Sequence, residues 1–285
     1  MAEWTIRALM EWTEQHFQQK GIESPRLETQ LLLSHALGCK KTALYTRWDE
    51  VVDDERRGRF RDLIKRRLEG SPIQHLVGYR EFFLLDFEVS PDVLIPRPET
   101  ELLVTEALNR AKGMAAPRLL DIGTGSGCIA VSFAKQMKSA QVTASDISSK
   151  ALAVAKRNTE RHGLAERIRF VEGDLFVPLS AADRFDLIVS NPPYIAKPEF
   201  ENLPAHVRDF EPRLALEAGP EGFDVYDRLI PAAINFLEAG GWLLLEIGYN
   251  QEEGVKQRLA SAGFEVGPTI RDDQRHPRVM AGRKK

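Results

Sequence analysis

The stretch FDLIVSNPPY, residues 185–194, decides how the second half of this chain folds. Its first six residues are mostly apolar, which is typical of a buried parallel strand. Pro192 and Pro193 cannot continue the strand, because neither has a backbone N–H to donate to a neighbouring strand. The strand therefore ends here and presents Asn191 at its carboxyl end, the edge of an open α/β sheet where ligands bind.

This edge carries groups suited to holding a flat –NH2 group. The Asn191 side-chain oxygen and the Pro192 carbonyl can accept its two hydrogens, and the ring of Tyr194 can stack on its face. Two alternatives stay open. Residues of these types often form ordinary turns, and Tyr194 could serve packing alone.

Strands and helices alternate from Pro117 onward, which predicts a parallel sheet with helices on both faces. The predicted strands are residues 118–122, 141–145, 167–172, 185–190, 241–247, 264–270 and 277–282. The predicted helices between them are residues 126–138, 148–162, 223–238 and 250–262. Because only a short link joins the last two strands, we expect the final one to run antiparallel at the sheet edge. The predicted fold class is α/β, with a seven-stranded, mostly parallel sheet.

The first 70 residues predict a small, all-helical bundle. Apolar residues near helical spacing mark the inner face of its first helix: Trp4, Ala8, Leu9, Trp12 and Phe17. Residues 71–95 change period and include a predicted β-hairpin at 82–89, so we expect them to link the bundle to a domain of residues 96–285.

The one long irregular stretch, residues 195–222, begins directly after Tyr194. A loop of that length in a compact domain is usually functional. We therefore predict a loop on the substrate side of the site.

The composition narrows the class of protein. With 43% hydrophobic and 28% charged residues, the chain can bury a core and is not disordered. Its formal net charge of −3 argues against a general nucleic-acid binder, which is usually basic.

Cys39 and Cys128 lie far apart and the six histidines form no His-x-x-x-His pair, so we expect no disulfide and no metal. Without a signal-peptide pattern or an apolar stretch of about 20 residues, we expect a soluble cytoplasmic protein.

The sequence LLDIGTGSG, residues 119–127, ends the first strand of the predicted sheet and opens a helix. Its glycines allow a tight turn and a close approach of a ligand to the backbone. It is not the dinucleotide fingerprint G-x-G-x-x-G, because Cys128 stands where the last glycine would be, and no P-loop lysine follows. We expect a nucleoside cofactor without a pyrophosphate, bound at Gly123, Thr124, Gly125, Ser126 and Gly127.

Three acidic residues at strand ends complete the expected cofactor site. Asp146 ends the second strand roughly 20 residues beyond the glycine loop, where a carboxylate can bind ribose hydroxyls. Asp174 follows the third strand and could take the amino group of an adenine. Three structural alternatives stay open: Asp121 could satisfy backbone donors of the glycine loop, Asp146 could cap the next helix, and Asp174 could be a solvated loop acid.

Residues 121–127, Asp146, Asp174 and residues 191–194 together resemble a class I S-adenosylmethionine-dependent methyltransferase that acts on amino groups. Over essentially its full length the chain resembles the release factor glutamine methyltransferases, the PrmC/HemK family. The segments that carry this resemblance are the helical bundle, IPRPETE at 95–101, the glycine loop, SNPPYI at 190–195 and EAGPEG at 217–222. The chain departs from some family members at Leu175, where they have tryptophan, so the residue that stacks on the adenine is left open.

The resemblance implies a Rossmann-like catalytic domain and an N-terminal substrate-recognition domain. It implies S-adenosylmethionine as the cofactor, S-adenosylhomocysteine as its product, and class I peptide chain release factors as the protein substrate. The methyl group would go to the side-chain nitrogen N5 of the glutamine in their Gly-Gly-Gln loop, in support of translation termination. The implied catalytic residues are Asn191, Pro192 and Tyr194, and Pro193 joins them in substrate binding. The implied cofactor-binding residues are Asp121, Gly123, Thr124, Gly125, Ser126, Gly127, Asp146, Asp174, Leu175 and Asn191.

Other functions stay open on the residues alone. The same pocket could accept a flipped adenine of DNA or RNA, although the acidic net charge counts against this. A cofactor-binding protein without catalysis is a third hypothesis, which the intact residues 191–194 disfavour. For Glu99 and Thr100 we favour helix capping over catalysis. We expect a monomer without a stable nucleic-acid or membrane partner.

Overall fold

The computed structural model describes residues 3–285. By their internal contacts these residues form two compact units. The first contains the chain up to Tyr79 together with Ala205–Phe210, and the second contains Arg80–Pro204 and Glu211–Lys285.

The first unit is helical, as the sequence predicts. Its N-terminal helices are α1 (Ile6–Gln19), α2 (Pro25–Leu37), α3 (Lys41–Thr46), α4 (Asp54–Leu68) and α5 (Ile73–Val77). The inner face of α1 differs from the predicted one in part. Leu9 and Phe17 are buried, but Trp12 is 49% exposed and stacks on His16 at the surface. Trp4 lies before α1 and is also exposed, and Ile6 and Met10 fill the core instead.

A β-hairpin opens the second unit, and it begins earlier than predicted. Its strands are β1 (Tyr79–Phe82) and β2 (Leu85–Glu88). Phe83 and Leu84 form the turn with φ of 50° and 61°, a conformation that glycine or asparagine usually supplies, so these two residue types do not predict the turn. Phe82 and Phe87 pack into the core of this unit.

The second unit is built on a mixed sheet. Its strands are β3 (Arg118–Ile122), β4 (Gln141–Asp146), β5 (Ile168–Glu172), β6 (Phe185–Ser190), β7 (Leu237–Glu246), β8 (Glu265–Val266), β9 (Ile270–Arg271) and β10 (Pro277–Arg283). The longer helices that accompany it are α6 (Thr100–Ala111), α7 (Cys128–Gln136), α8 (Ser149–Arg161), and, after the two short helices described below, α11 (Asp224–Ala233) and α12 (Glu252–Ser261). The strand order is β5-β4-β3-β6-β7-β10-β8, and β9 also pairs with β10. The first five strands of this order are parallel, and β10 runs antiparallel to its neighbours.

The predicted α/β class and the first four predicted strands are confirmed, the strands to within one residue. Among the described residues the sheet has eight strands where seven were predicted, because the strand predicted at 264–270 is two short strands. Gly267 and Pro268 separate them, and proline has no N–H for the ladder. The last strand is antiparallel as predicted, but it lies between β7 and β8 rather than at the edge.

Strand β7 begins at Leu237, four residues before the predicted start, and α11 ends well before its predicted end. The predicted strand began at Gly241 and left Gly240 outside it. Both glycines lie within β7, at an irregularity where Phe185 pairs with Leu237 and Leu187 pairs with Trp242. Gly240 has φ of 77°, so these glycines allow the strand to bulge and resume pairing.

The segment 195–222 is not one irregular loop. It contains α9 (Lys197–Phe200), α10 (Ala205–Arg208) and a 3-10 turn at Arg213–Ala215. Its two ends are joined by a parallel bridge between Ile195 and Glu217. Gln251 holds them further, since its Nε2 donates to the carbonyls of Tyr194 and Gly222 at 3.0 Å each. The segment is therefore an ordered strap that returns to the strand end it left.

We expect Gly222→Ala to destabilise the protein through two costs, the left-handed backbone and a close contact of the added Cβ. Gly222 has φ of 78°, which costs a non-glycine residue on the order of 1–3 kcal/mol. An added Cβ would also lie 2.4 Å from the Tyr194 carbonyl oxygen. Thermal unfolding followed by circular dichroism should show a clearly lower midpoint.

Gly163→Ala is the matched control. Gly163 lies in the same unit with φ of 69°, but nothing lies within 4 Å of its added Cβ. It should cost only the backbone part of this loss, roughly 1–2 kcal/mol for a left-handed residue. Equal losses for the two variants would contradict the close packing at Gly222.

Candidate active site

The glycine loop between β3 and α7 is fixed to the neighbouring strand β4. The backbone N–H groups of Gly123 and Thr124 both donate to the Ser145 carbonyl at 2.9 Å. Gly123 and Gly125 have φ of 70° and 56°, and an added Cβ on either would meet nothing within 4 Å. The loop therefore presents bare backbone to open space at the carboxyl edge of the sheet.

Gly127 has a different role from the other two glycines. It has φ of 80° at the start of α7, and a Cβ there would lie 3.1 Å from the Cβ of Ala155 on α8. Only glycine lets these two helices approach so closely. The structure thus places Gly127 at a helix contact and not in the wall of the site.

Asp121 lies beneath the loop. It is fully buried, and its Oδ2 accepts hydrogen bonds from the Thr124 hydroxyl at 2.6 Å and the Ala130 N–H at 3.2 Å. Burial raises the pKa of this carboxyl to about 7, against the lowering effect of those two hydrogen bonds. Asp121 was predicted either to touch the cofactor or to satisfy donors of the glycine loop. These contacts match the second alternative, in which Asp121 holds the loop from below.

Asp146 ends β4 and faces the loop. Its Oδ2 accepts from the Gly125 N–H and its Oδ1 from the Ser148 N–H, both at 2.9 Å. Burial raises its pKa, although both hydrogen bonds favour the charged form. Helix α8 has its own cap in the Ser148 hydroxyl, which accepts from Ala151. Asp146 therefore ties the loop to the start of the next segment and still contributes to the cavity wall.

Asp174 and Leu175 follow β5 and both line the cavity. Asp174 forms an ion pair with Arg228, another lining residue, and the Asp174 side chain is 40% exposed. One carboxylate oxygen is therefore engaged by an arginine. Leu175 has φ of 50°, which is strained for a leucine and turns this position toward the cavity.

The first three residues after β6 lie where the sequence predicts. Asn191, Pro192 and Pro193 line the cavity. The Asn191 amide donates from Nδ2 to the Thr100 hydroxyl oxygen at 3.2 Å. Because Nδ2 is used in this way, Oδ1 is left as the acceptor at the site.

Among the described residues that line the cavity, Tyr194 does not join Asn191, Pro192 and Pro193. Its side chain packs against the core cluster around Tyr226, and burial raises the pKa of its hydroxyl well above the ordinary value. The predicted stacking of this ring on a substrate amide therefore finds no support in the geometry, because the chain turns inward after the two prolines. Its carbonyl oxygen instead accepts from Gln251.

The residues before α6 form a second wall. Arg97 donates from Nη2 to Glu211 Oε1 at 2.5 Å, and the other oxygen of Glu211 accepts from the Ile95 N–H at 3.0 Å. Glu211 is buried. The favoured capping role of Glu99 is wrong, since this N-cap residue makes no side-chain capping hydrogen bond. The buried Thr100 lines the cavity beside Asn191.

These elements enclose a cavity of about 250 Å³ at the carboxyl edge of the parallel strands. It brings together most of the predicted residues: Gly123, Thr124, Gly125, Ser126, Asp146, Asp174, Leu175, Asn191, Pro192 and Pro193. Sequence reasoning missed others in its wall: Val93, Leu94, Arg97, Ile147, Leu214 and Arg228. Ile147 had a usable signal in the sequence, because this apolar residue directly follows Asp146; the structure leaves it 51% exposed.

Two further findings concern features outside this cavity. Among residues 3–285, no group of three or more histidine, cysteine, aspartate or glutamate side chains is arranged to hold a metal ion. Over the same residues, no helix has the length and apolar character needed to span a bilayer.

Two family models match the chain, one in each part. The PrmC N-terminal domain matches residues 8–78, and the Methyltransferase small domain matches residues 98–206. The second match contains the glycine loop and residues 191–194, so the sequence motifs of the cavity fall within a methyltransferase domain.

Relatives are similar over nearly the whole chain. The release factor glutamine methyltransferase of Rhodopirellula baltica is 45% identical over 287 residues, which cover 99% of this chain and 97% of that protein. The release factor glutamine methyltransferase of Geobacter sulfurreducens is 47% identical over 280 residues, or 98% and 97% of the two chains.

Solved structures share the fold at lower identity. A methyltransferase from Pyrococcus furiosus gives a TM-score of 0.53 at 21% identity, covering 77% of this chain and 96% of that one. The ribosomal protein L11 methylase of Lactobacillus delbrueckii subsp. bulgaricus gives 0.51 at 24% identity, covering 69% and 84%. At these identities the likeness supports the fold alone.

The full-length relatives confirm the resemblance found in the sequence and the expectation of an enzyme. Both domain models agree with them. This chain belongs to the release factor glutamine methyltransferase family.

Proposed function

We propose that this enzyme transfers a methyl group from S-adenosylmethionine to the side-chain nitrogen N5 of the glutamine in the Gly-Gly-Gln loop of class I peptide chain release factors. This activity would support translation termination. The observation that carries the proposal is the Asn191 amide, which has its Nδ2 tied to Thr100 and its oxygen left at the cavity as an acceptor for an –NH2 group. The names of the full-length relatives support the choice of substrate.

The residues of the cavity fit the proposed cofactor. Gly123 and Gly125 offer bare backbone with open space beside it, and the Asp146 carboxylate stands where ribose hydroxyls could donate to it. The apolar side chains of Ile147 and Leu175 line the same cavity and could cover a purine ring, in place of the tryptophan found in some relatives. When bound, S-adenosylmethionine supplies an electrophilic methyl group on a positively charged sulfur.

The chain itself contributes positioning and electrostatics. A glutamine amide nitrogen is a poor nucleophile, because its lone pair is delocalised into the carbonyl group. Asn191 Oδ1 and the Pro192 carbonyl accept its two hydrogens, which fixes the direction of the nitrogen and favours the positive charge that develops on it. Methyl transfer of this kind needs no general base beforehand, because the proton can leave to water afterward. Pro193 keeps this strand end rigid, and Tyr194 anchors it from the core side.

The two parts of the chain have separate proposed roles. Residues 96–285 would bind the cofactor and carry out methyl transfer, residues 71–95 would link the domains, and residues 1–70 would contact the folded release factor. Such contacts add binding energy away from the reacting atom, which can be used to orient the glutamine. We propose a monomer that meets release factors in the cytoplasm and needs neither nucleic acid nor membrane.

The experiment that tests this function is mass spectrometry of release factor peptides after incubation with the protein and S-adenosylmethionine. We expect one added methyl group, on the glutamine of the Gly-Gly-Gln loop. Duplex DNA with labelled cofactor serves as the second substrate and should take up no label. Label in DNA, with unmodified release factor, would favour an adenine methyltransferase instead.

Asn191→Ala should abolish most methyl transfer and leave cofactor binding intact. It removes one of the two acceptors, and loss of a comparable polar contact costs about 10²–10³-fold in kcat. Turnover is measured on purified release factor, and cofactor affinity by calorimetry. Asn202→Ala is the control, because Asn202 is exposed and bonds only to the nearby Pro198 carbonyl. Full turnover by Asn191→Ala would exclude the role given to Asn191.

Asp146→Asn should weaken binding of S-adenosylmethionine by about tenfold or more. The neutral amide keeps one acceptor oxygen, so it cannot serve both the Gly125 and Ser148 N–H groups and the ribose hydroxyls. Calorimetry gives the dissociation constant. Asp183→Asn, at a surface turn outside the cavity, should bind as the wild type does. An unchanged affinity for Asp146→Asn would mean that Asp146 serves the fold alone.

A further inference from the structure

A buried carboxyl group lies beside Asn191 and takes no part in the chemistry above. Glu246 ends β7 and is only 2% exposed. Its Oε2 has no hydrogen-bond partner among the described residues. Ser190 lies opposite Leu245 in the parallel register. The next residues along the two strands, Asn191 and Glu246, therefore lie at the same edge of the sheet. Burying a carboxyl group is costly, and packing alone does not explain an acid at this position.

Thr100 joins the two residues. Its hydroxyl lowers the pKa of Glu246 and so favours the charged carboxylate, and its oxygen accepts from Asn191 Nδ2 at 3.2 Å. A hydroxyl has one hydrogen and two lone pairs, whereas a carboxylate can only accept. The hydrogen of Thr100 therefore goes to Glu246, and only a lone pair is left for Asn191. The end of the Asn191 amide that faces Thr100 must then be its –NH2 group.

We propose that Thr100 and Glu246 are positioning residues, which hold the Asn191 amide with its oxygen toward the cavity. This inference rests on the proposed function, in which that oxygen accepts a hydrogen bond from the substrate amide. In the reverse orientation Nδ2 would face the substrate –NH2 group, and two donors cannot bond. The two ends of an amide have nearly the same shape, so packing alone cannot choose between them.

The charge of Glu246 controls this arrangement. Burial raises the pKa of Glu246 to about 7, against the Thr100 hydrogen bond. The titratable and charged groups that face it are Glu99, Arg97, Arg278, Tyr194, Tyr226 and Cys128. The two arginines favour its charged form and Glu99 opposes it. Once protonated, Glu246 can donate, the Thr100 hydroxyl can turn its hydrogen toward Asn191, and the fixed orientation is lost.

Thr100→Val tests the link, because it removes the hydroxyl and keeps the branched shape. We expect kcat on release factor to fall by about 10- to 100-fold, with KM and S-adenosylmethionine affinity changed by less than about threefold. Thr100→Ser should restore most of kcat. Thr105→Val is the control on the same helix, since Thr105 is exposed and bonds to the Glu101 carbonyl. Wild-type turnover by Thr100→Val, or a loss confined to cofactor affinity, would overturn the proposal.

Glu246→Gln tests the charge. In the wild type, kcat should fall by about tenfold per pH unit below a pH of about 7, because only the carboxylate orients Thr100. Glutamine does not titrate and its oxygen can still accept from Thr100, so the variant should lack this step. A step that persists in Glu246→Gln would exclude Glu246 as its source.

Thermal unfolding of the cofactor-free protein gives a readout without catalysis. The folded protein raises the pKa of Glu246 from its ordinary 4.5 to about 7. The wild type should therefore lose stability relative to Glu246→Gln as the pH rises from 4.5 to about 7, with no further change above. Parallel unfolding curves across this range would overturn the proposed titration.

A wild type inactive on release factor would refute the proposed function, whereas active wild type with equally active Thr100→Val would refute only this inference.

Discussion

The register of the parallel strands is the constraint on which the site depends. Ile122 at the end of β3 lies opposite Ser145 on one side and Ser190 on the other, and Ser190 lies opposite Leu245. The next residue along each strand therefore emerges at the same edge, which brings the glycine loop, Asp146, Asn191 and Glu246 together. A slip of one residue in any strand would turn its last side chain to the opposite face of the sheet.

The register also explains why the polar groups at this edge can be buried. Asp121 and Asp146 accept hydrogen bonds from the glycine loop, so the loop is held from below and from the side. Glu211 does the same for the backbone before α6, through the Ile95 N–H and the Arg97 side chain. Each acid offsets its burial with donors from a neighbouring loop, and each loop gains one fixed shape.

Sequence patterns predicted the strands of the sheet well where a residue type is compatible with only one local structure. The apolar runs of β3 to β6 and the two prolines after Asn191 located the strand ends. Patterns failed where tertiary contacts decide between equal alternatives. Nothing local distinguishes a glycine that faces a ligand, such as Gly125, from one that admits a helix, such as Gly127.

The same limit applies to side chains whose direction depends on distant contacts. Tyr194 follows the prolines like a ligand-facing residue, yet Gln251 and the core around Tyr226 draw its segment inward. Glu246 was missed although it is the last residue of its strand, as Asp146 is of β4. The strand predicted at 241–247 ran one residue past Glu246, so this acid lay inside the predicted strand and not at its end.

A poor nucleophile makes the direction of every acceptor in this cavity important. The carbonyl of Pro192 can only accept hydrogen bonds, since a backbone carbonyl has no donor and proline has no N–H. Asn191, in contrast, carries both a donor and an acceptor on one planar group. A site built from this pair recognises an –NH2 group only when the asparagine is fixed in one orientation. Selectivity for an amide substrate therefore depends on how the Asn191 amide is held, as well as on the acceptors themselves.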